Sequence, residues 1–154
     1  MGNVLTKFTY GMYVVGVKAG DVRNGMAASW AAQVSFEPKR AMVAVKKTRF
    51  THSLLDSAGA FTISVLRRDQ ADILERFKGE KEVTETTIGG VPVIAAENGA
   101  PALADCLGYI ELEKVHAFDA GDHTLFVGEV TRMKTISEGG PLTSSDLDGH
   151  FYGG

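Results

Sequence analysis

The sequence predicts a mainly β fold with short helices, an antiparallel barrel of about six strands, and three observations carry that reading. Most apolar runs are short and rich in β-branched and aromatic residues, as in Tyr13-Val-Val-Gly-Val and Met42-Val-Ala-Val. They follow one another through turn signals such as Ala19-Gly-Asp and Asp119-Ala-Gly-Asp, and only two short stretches repeat at a helical spacing. The regular strand–helix alternation of a doubly wound sheet is missing.

Taken in order, segment 10–17 is apolar on both faces and reads as a buried strand, turned at Gly20. Segments 26–30 and 33–36 read together as its returning partner with an irregular stretch inside, ended by Pro38, and 42–46 is a third strand. Thr51 is placed to cap a helix over 52–58, with Leu54, Leu55 and Ala58 on one face and Gly59 at its stop. Segment 60–66 alternates, which predicts a half-buried strand with Phe61, Ile63 and Val65 inward and Thr62 and Ser64 outward. Asp69 is the expected cap of a second helix to Phe77, with Ile73 and Leu74 also inward and Gly79 closing it. Gly89, Gly90, Pro92, Gly99 and Pro101 break any pattern over 79–106, which reads as an extended excursion. Two long strands, 108–118 and 123–136, form a hairpin with Glu111 and Glu113 outward, followed by a Gly- and Ser-rich tail.

The bulk numbers bound the function. A chain of 154 residues is predicted to form one domain spanning 1–154, a size that buries roughly two-thirds of its unfolded surface. Apolar residues at 44%, charged residues at 23% and a net charge of -3 without charge blocks describe an ordinary globular protein and argue against nucleic-acid binding. No apolar run approaches the ~18 residues of a membrane span and no secretory leader pattern is visible, so the expected location is cytoplasmic. A single cysteine, Cys106, makes no internal disulfide and supplies no thiol cluster for zinc or iron–sulfur, so redox chemistry would need a borrowed cofactor. Phosphate-binding, dinucleotide-binding, nucleophile-elbow and zinc motifs are all missing.

Two stretches concentrate small or polar residues. In Asn24-Gly-Met-Ala-Ala-Ser-Trp30 the side chains are tiny where a strand normally carries bulk, so the backbone can meet a flat ligand such as a flavin ring, or else simply pack closely. In Lys46-Lys-Thr-Arg-Phe-Thr-His52 cations and hydroxyls gather where a helix begins, which suits a phosphate, or else makes a solvated basic loop.

These stretches, with Tyr10-Gly-Met-Tyr-Val-Val-Gly-Val, Gln33-Val-Ser-Phe-Glu-Pro and Gly121-Asp-His-Thr-Leu-Phe-Val-Gly-Glu-Val, resemble in this order the flavin reductase-like FMN-binding split-barrel family. The flavoredoxins and the flavin domain of high-molecular-weight rubredoxins are the nearest flavour, and the likeness covers nearly the whole chain. It implies a split barrel that binds FMN, with the backbone of Asn24, Gly25, Met26, Ala27, Ala28, Ser29 and Trp30 along the flavin. It further implies that Lys46, Thr48, Arg49, Thr51 and His52 approach the phosphate and that a homodimer closes the site. Where many relatives carry Thr and Ser, this chain has Ala27 and Ala28, so fewer side-chain hydrogen bonds to the flavin are expected.

The implied activity is that of an NAD(P)H-dependent flavin reductase or oxidoreductase, passing electrons from NADH or NADPH through FMN to a flavin or a small redox protein. The alternative is a non-enzymatic FMN carrier between redox proteins, and a remoter one is a related split barrel holding haem or a different flavin-like ligand. His123, in the Gly-Asp-His motif, is the candidate that positions the nicotinamide donor, or else a polar residue at a strand start. His116 and Cys106 read as structural, Trp30 by itself reads as a core residue more than as a flavin neighbour, and His150 lies in a tail that either folds over a flavin face or stays loose.

Overall fold

The computed structural model describes residues 2–147. Ten strands and two α-helices follow in the order β1 (Tyr13–Ala19), β2 (Val22–Ala28), β3 (Ala31–Ser35), β4 (Arg40–Lys46), α1 (Phe50–Ser57), β5 (Ala60–Val65), α2 (Ala71–Arg76), β6 (Thr87–Ile88), β7 (Val91–Ala95), β8 (Pro101–Leu103), β9 (Gly108–Asp119) and β10 (His123–Thr135). The fold is mainly β and antiparallel, as the pattern predicts, but the strand count is not six. Seven strands form one sheet in the order β2-β1-β5-β9-β10-β4-β3, and β6-β7-β8 form a second. The large sheet curls without closing its hydrogen-bond ladder among the described residues.

The stretch expected to be one returning strand is two. β2 pairs along β1 from Tyr13↔Ala28 to Ala19↔Val22, whereas β3 pairs with β4 at the opposite edge. Ser29 and Trp30 make the crossing, and the Trp30 carbonyl accepts the Ala44 N–H at 2.8 Å. Irregularity that looked like a bulge is the place where the chain changes edge.

Two core clusters flank the sheet. Val15, Val17, Val43, Val45, Phe61 and Phe126 meet Leu54 and Leu55 of α1 inside the curl. On the other side Val14, Leu66, Leu74, Phe77, Leu103 and Leu142 pack between the large sheet, α2 and the small sheet. The excursion over 79–106 is therefore a second layer rather than a loop, and it buries the side of β5 that was expected to face water. Thr62 Oγ1 donates to the Pro101 carbonyl at 2.5 Å, and Ser64 Oγ accepts the Leu103 N–H at 3.1 Å. Gly16 is required at this seam, because a Cβ there would lie 1.8 Å from the Pro101 carbonyl oxygen.

Glu111 is also inward rather than outward, being 1% exposed, while Glu113 is exposed. Its Oε1 accepts the Asn98 N–H at 2.7 Å, and Asn98 Nδ2 donates to the Phe61 carbonyl at 3.1 Å, so the carboxylate anchors the turn between β7 and β8. Neither expected helix cap forms. Arg49 occupies the cap position of α1 with Thr51 buried in its first turn, and a 3₁₀ turn, Arg68–Gln70, precedes α2. Asp69 instead pairs with Arg67 at 2.8 Å, and Arg67 reaches on to Asp105 at 2.9 Å. The described part of the tail is docked, with Leu142 buried and Ser144 N–H donating to the Tyr10 carbonyl at 2.7 Å. His150 lies outside the described residues. No helix among the described residues is long and apolar enough to cross a membrane.

Candidate functional site

A cleft of about 940 Å³ opens along β2, the edge strand of the large sheet. An edge strand leaves alternate backbone N–H and C=O groups outside the ladder, and here they face the cleft rather than a neighbouring strand. The small side chains of 24–29 leave that backbone approachable. Gly25 lets α2 come close, since a Cβ there would sit 3.0 Å from Phe77 Cε1. Leu74 and Phe77 add apolar lining, and the start of α1 and residues 78–81 with Val83 complete the rim.

Of the residues singled out in the sequence, Asn24, Met26, Ala27, Ala28, Ser29, Thr48, Arg49 and Thr51 line the cleft together. Gly25 lies within the same strand, turned to Phe77. The other four sit beyond the cleft wall. One residue after Thr51 the helix has rotated by about 100°, so His52 points to β10, where its Nε2 is 2.7 Å from Thr124 Oγ1 and its ring meets Phe126 edge-on. Lys46 pairs in register with His123 on β10. Trp30 stacks on His123 with ring centroids 4.7 Å apart. His123 itself is buried, with Nδ1 2.8 Å from Asp122 Oδ1, a bond that holds the Asp122 carboxyl below the usual carboxylate range.

The cleft asks for a ligand in two ways. Ser29 is 4% exposed, and its Oγ has no hydrogen-bond partner among the described residues, although a buried hydroxyl ordinarily has one. Also on the lining, the side chains of Arg49 and Lys81 make no hydrogen bond or ion pair among the described residues. Burial, and then the Arg49 charge, push the Lys81 ammonium below the ordinary lysine range. An apolar wall, an approachable strand edge, an orphaned hydroxyl and uncompensated cations fit a flat ring system carrying a phosphate.

Sequence reasoning missed the rim. Arg23 donates to the Thr84 carbonyl and ties that segment to β2, but residues 78–83 gave no periodic signal, only lysines flanking a helix-ending glycine. Among the described residues no cluster of His, Cys, Asp or Glu is arranged to hold a metal ion.

Comparison with known proteins identifies the family. The family described as the flavin reductase like domain matches residues 5–153. Among curated proteins, the putative diflavin flavoprotein A 3 of Nostoc sp. is 33% identical over 143 residues, which are 89% of this chain and 25% of that protein. The high molecular weight rubredoxin of Moorella thermoacetica is 32% identical over 141 residues, 90% of this chain and 62% of that protein. The chain thus spans between a quarter and under two-thirds of the length of these relatives. Among solved structures, BorF, the flavin reductase component of a bacterial two-component tryptophan halogenase, aligns with a TM-score of 0.83 at 28% identity, covering 96% of this chain and 92% of that one. The NADH:FAD oxidoreductase SgcE6 of Streptomyces globisporus C-1027 aligns with a TM-score of 0.80 at 28% identity, covering 88% and 81%.

Proposed function

The chain belongs to the flavin reductase-like domain family, and on that premise we propose that it binds FMN in the β2 cleft and passes reducing equivalents from a reduced nicotinamide to a flavin or protein acceptor. The single observation that carries the reading is the buried Ser29 Oγ, unpartnered among the described residues, in the lining of a cleft that also holds uncompensated cations. Bound FMN would supply the chemistry, accepting a hydride at its ring and releasing electrons to the acceptor.

The chain's own residues bind, orient and exclude water. The β2 edge offers backbone donors and acceptors to the hydrogen-bonding edge of the ring, and Ser29 Oγ donates or accepts beside it. Phe77, Leu74 and Met12 cover apolar ring surface. Thr48, Arg49 and Thr51 serve the phosphate, with the guanidinium contributing charge-assisted bonds. His123, buried just beyond the cleft wall and oriented by Asp122 and Trp30, is the residue we propose to position the donor without moving a proton. The likeness to a reductase whose name specifies NADH supports a nicotinamide donor. We read the curled sheet as the wall of a split barrel, and exposed Val34, Phe36 and Phe118 support a homodimer that covers its outer surface.

The test is the absorbance spectrum of the purified protein, with chromatography of the flavin released by heat. FMN is the expected product, and FAD or a haem spectrum overturns the assignment. Anaerobic mixing with NADH or NADPH then separates two activities. Bleaching within seconds is expected of a reductase, whereas reduction only by a reduced protein donor makes the chain an electron carrier.

A further inference from the structure

Lys81 lines the same cleft as Arg49, near enough for the Arg49 charge to act on it, and comes from a segment that the large sheet does not contain. Every other cation on the lining is accounted for. Arg23 holds the Thr84 carbonyl, and Lys78 Nζ lies 2.8 Å from Glu75 Oε1. Glu80, the carboxylate on the same rim, forms no ion pair with either Lys81 or Arg49. Two like charges near each other without a counterion are unfavourable, more so where one is withdrawn from water.

The position of Lys81 is built rather than incidental. Gly79 turns the chain out of α2 with φ +65, and Gly89 N–H donates to the Glu82 carbonyl at 2.8 Å. A bridge between Val83 and Ile88 and the Arg23 bond to Thr84 close the segment onto the small sheet and β2. A phosphomonoester at the two cations would carry about two negative charges and accept hydrogen bonds from both.

We propose that Lys81 and Arg49 together form a clasp for a phosphomonoester, and that this clasp makes the cleft select FMN over riboflavin. The proposal rests on the FMN reading above and adds to it a ligand from a distant segment of the chain.

Flavin-stripped protein is titrated with FMN and riboflavin by flavin fluorescence, as wild type, Lys81→Gln and Lys81→Arg. The expected result is that Lys81→Gln weakens FMN by about 10- to 100-fold and leaves riboflavin unchanged. Lys81→Arg should recover most of the loss, and all three should melt at the same temperature. An unchanged FMN affinity in Lys81→Gln, or an equal loss for FMN and riboflavin, overturns the clasp. If the wild type binds neither flavin, the FMN reading fails by itself. The clasp is then judged by calorimetry with inorganic phosphate, where binding lost in Lys81→Gln supports it and no binding overturns it.

Discussion

The His123 imidazole packs on the Trp30 indole, ring centroids 4.7 Å apart and planes tilted by 36°, while Asp122 Oδ1 holds its Nδ1 at 2.8 Å. A ring fixed on two sides is suited to positioning a partner and poorly suited to swinging during a proton transfer. His123→Ala should therefore weaken the apparent affinity for the nicotinamide donor by about 2- to 10-fold, the value of one lost hydrogen bond, with the limiting reduction rate nearly kept. Stopped-flow reduction at several donor concentrations separates the two. Loss of FMN instead would make His123 part of the cofactor site or the fold.

Ser29 offers a test in which stability and binding move in opposite directions. Its Oγ is buried without a partner among the described residues, so Ser29→Ala should leave the flavin-free protein as stable or up to about 1 kcal/mol more stable in urea. The same change should weaken FMN and riboflavin alike, by about 2- to 10-fold. A destabilised protein with unaltered flavin binding would place the hydroxyl in the fold and not in the site.

Arg49 makes no side-chain bond within the described protein, so its removal should cost the fold little. Arg49→Ala is expected to weaken FMN well over tenfold, because each charge-assisted bond to a phosphate contributes about 1.5–3 kcal/mol. Riboflavin serves as the control, and a riboflavin affinity that falls as far as that of FMN would move the phosphate elsewhere.

Glu111 has a structural role that its sequence context hid. Oε1 accepts the Asn98 N–H, while Oε2 has no hydrogen bond and lies 3.7 Å from Arg132 Nε. Glu111→Gln keeps the acceptor and should stay within about 1 kcal/mol of wild type, whereas Glu111→Ala leaves the Asn98 N–H unsatisfied and should cost about 1–3 kcal/mol. Urea denaturation of both variants checks this, and equal losses would assign the effect to charge rather than to the hydrogen bond.

Residues whose local pattern matched their role were legible without coordinates. The inward Phe61 and Ile63 of β5, the inward Leu74 and Phe77, and the turn at Gly121 all follow from neighbours close in the chain. Half of the cleft was equally readable, because small residues on β2 and cations before α1 each form a local signal. What failed depended on a second layer. Thr62, Ser64 and Glu111 look outward by period, and become buried only because a segment broken by glycines and prolines folds over them. Lys81 arrives by the same route, and so did not show as a site residue. His52 shows the opposite error, a residue adjacent to the site in sequence but rotated out of it by one helical step.

Lys81 also predicts a pH dependence. Burial first, and then the Arg49 charge, hold its ammonium below the ordinary lysine range in the free protein. The other charged groups on the lining are Arg23, Arg49, Lys78 and Glu80. A bound phosphate favours the protonated form, so the Lys81 pKa should rise on binding. The sign follows from that difference: FMN affinity is constant while Lys81 is protonated in both states and falls as pH rises through the lowered value, with proton uptake on binding in that window. The FMN phosphate itself loses its second proton near pH 6, so titrations above about pH 7 isolate the lysine. Riboflavin corrects for ionisation of the ring. Lys81→Arg should bind FMN with a flat profile over the same range, since a guanidinium stays charged throughout. A wild-type profile as flat as that of Lys81→Arg would remove Lys81 from contact with the phosphate.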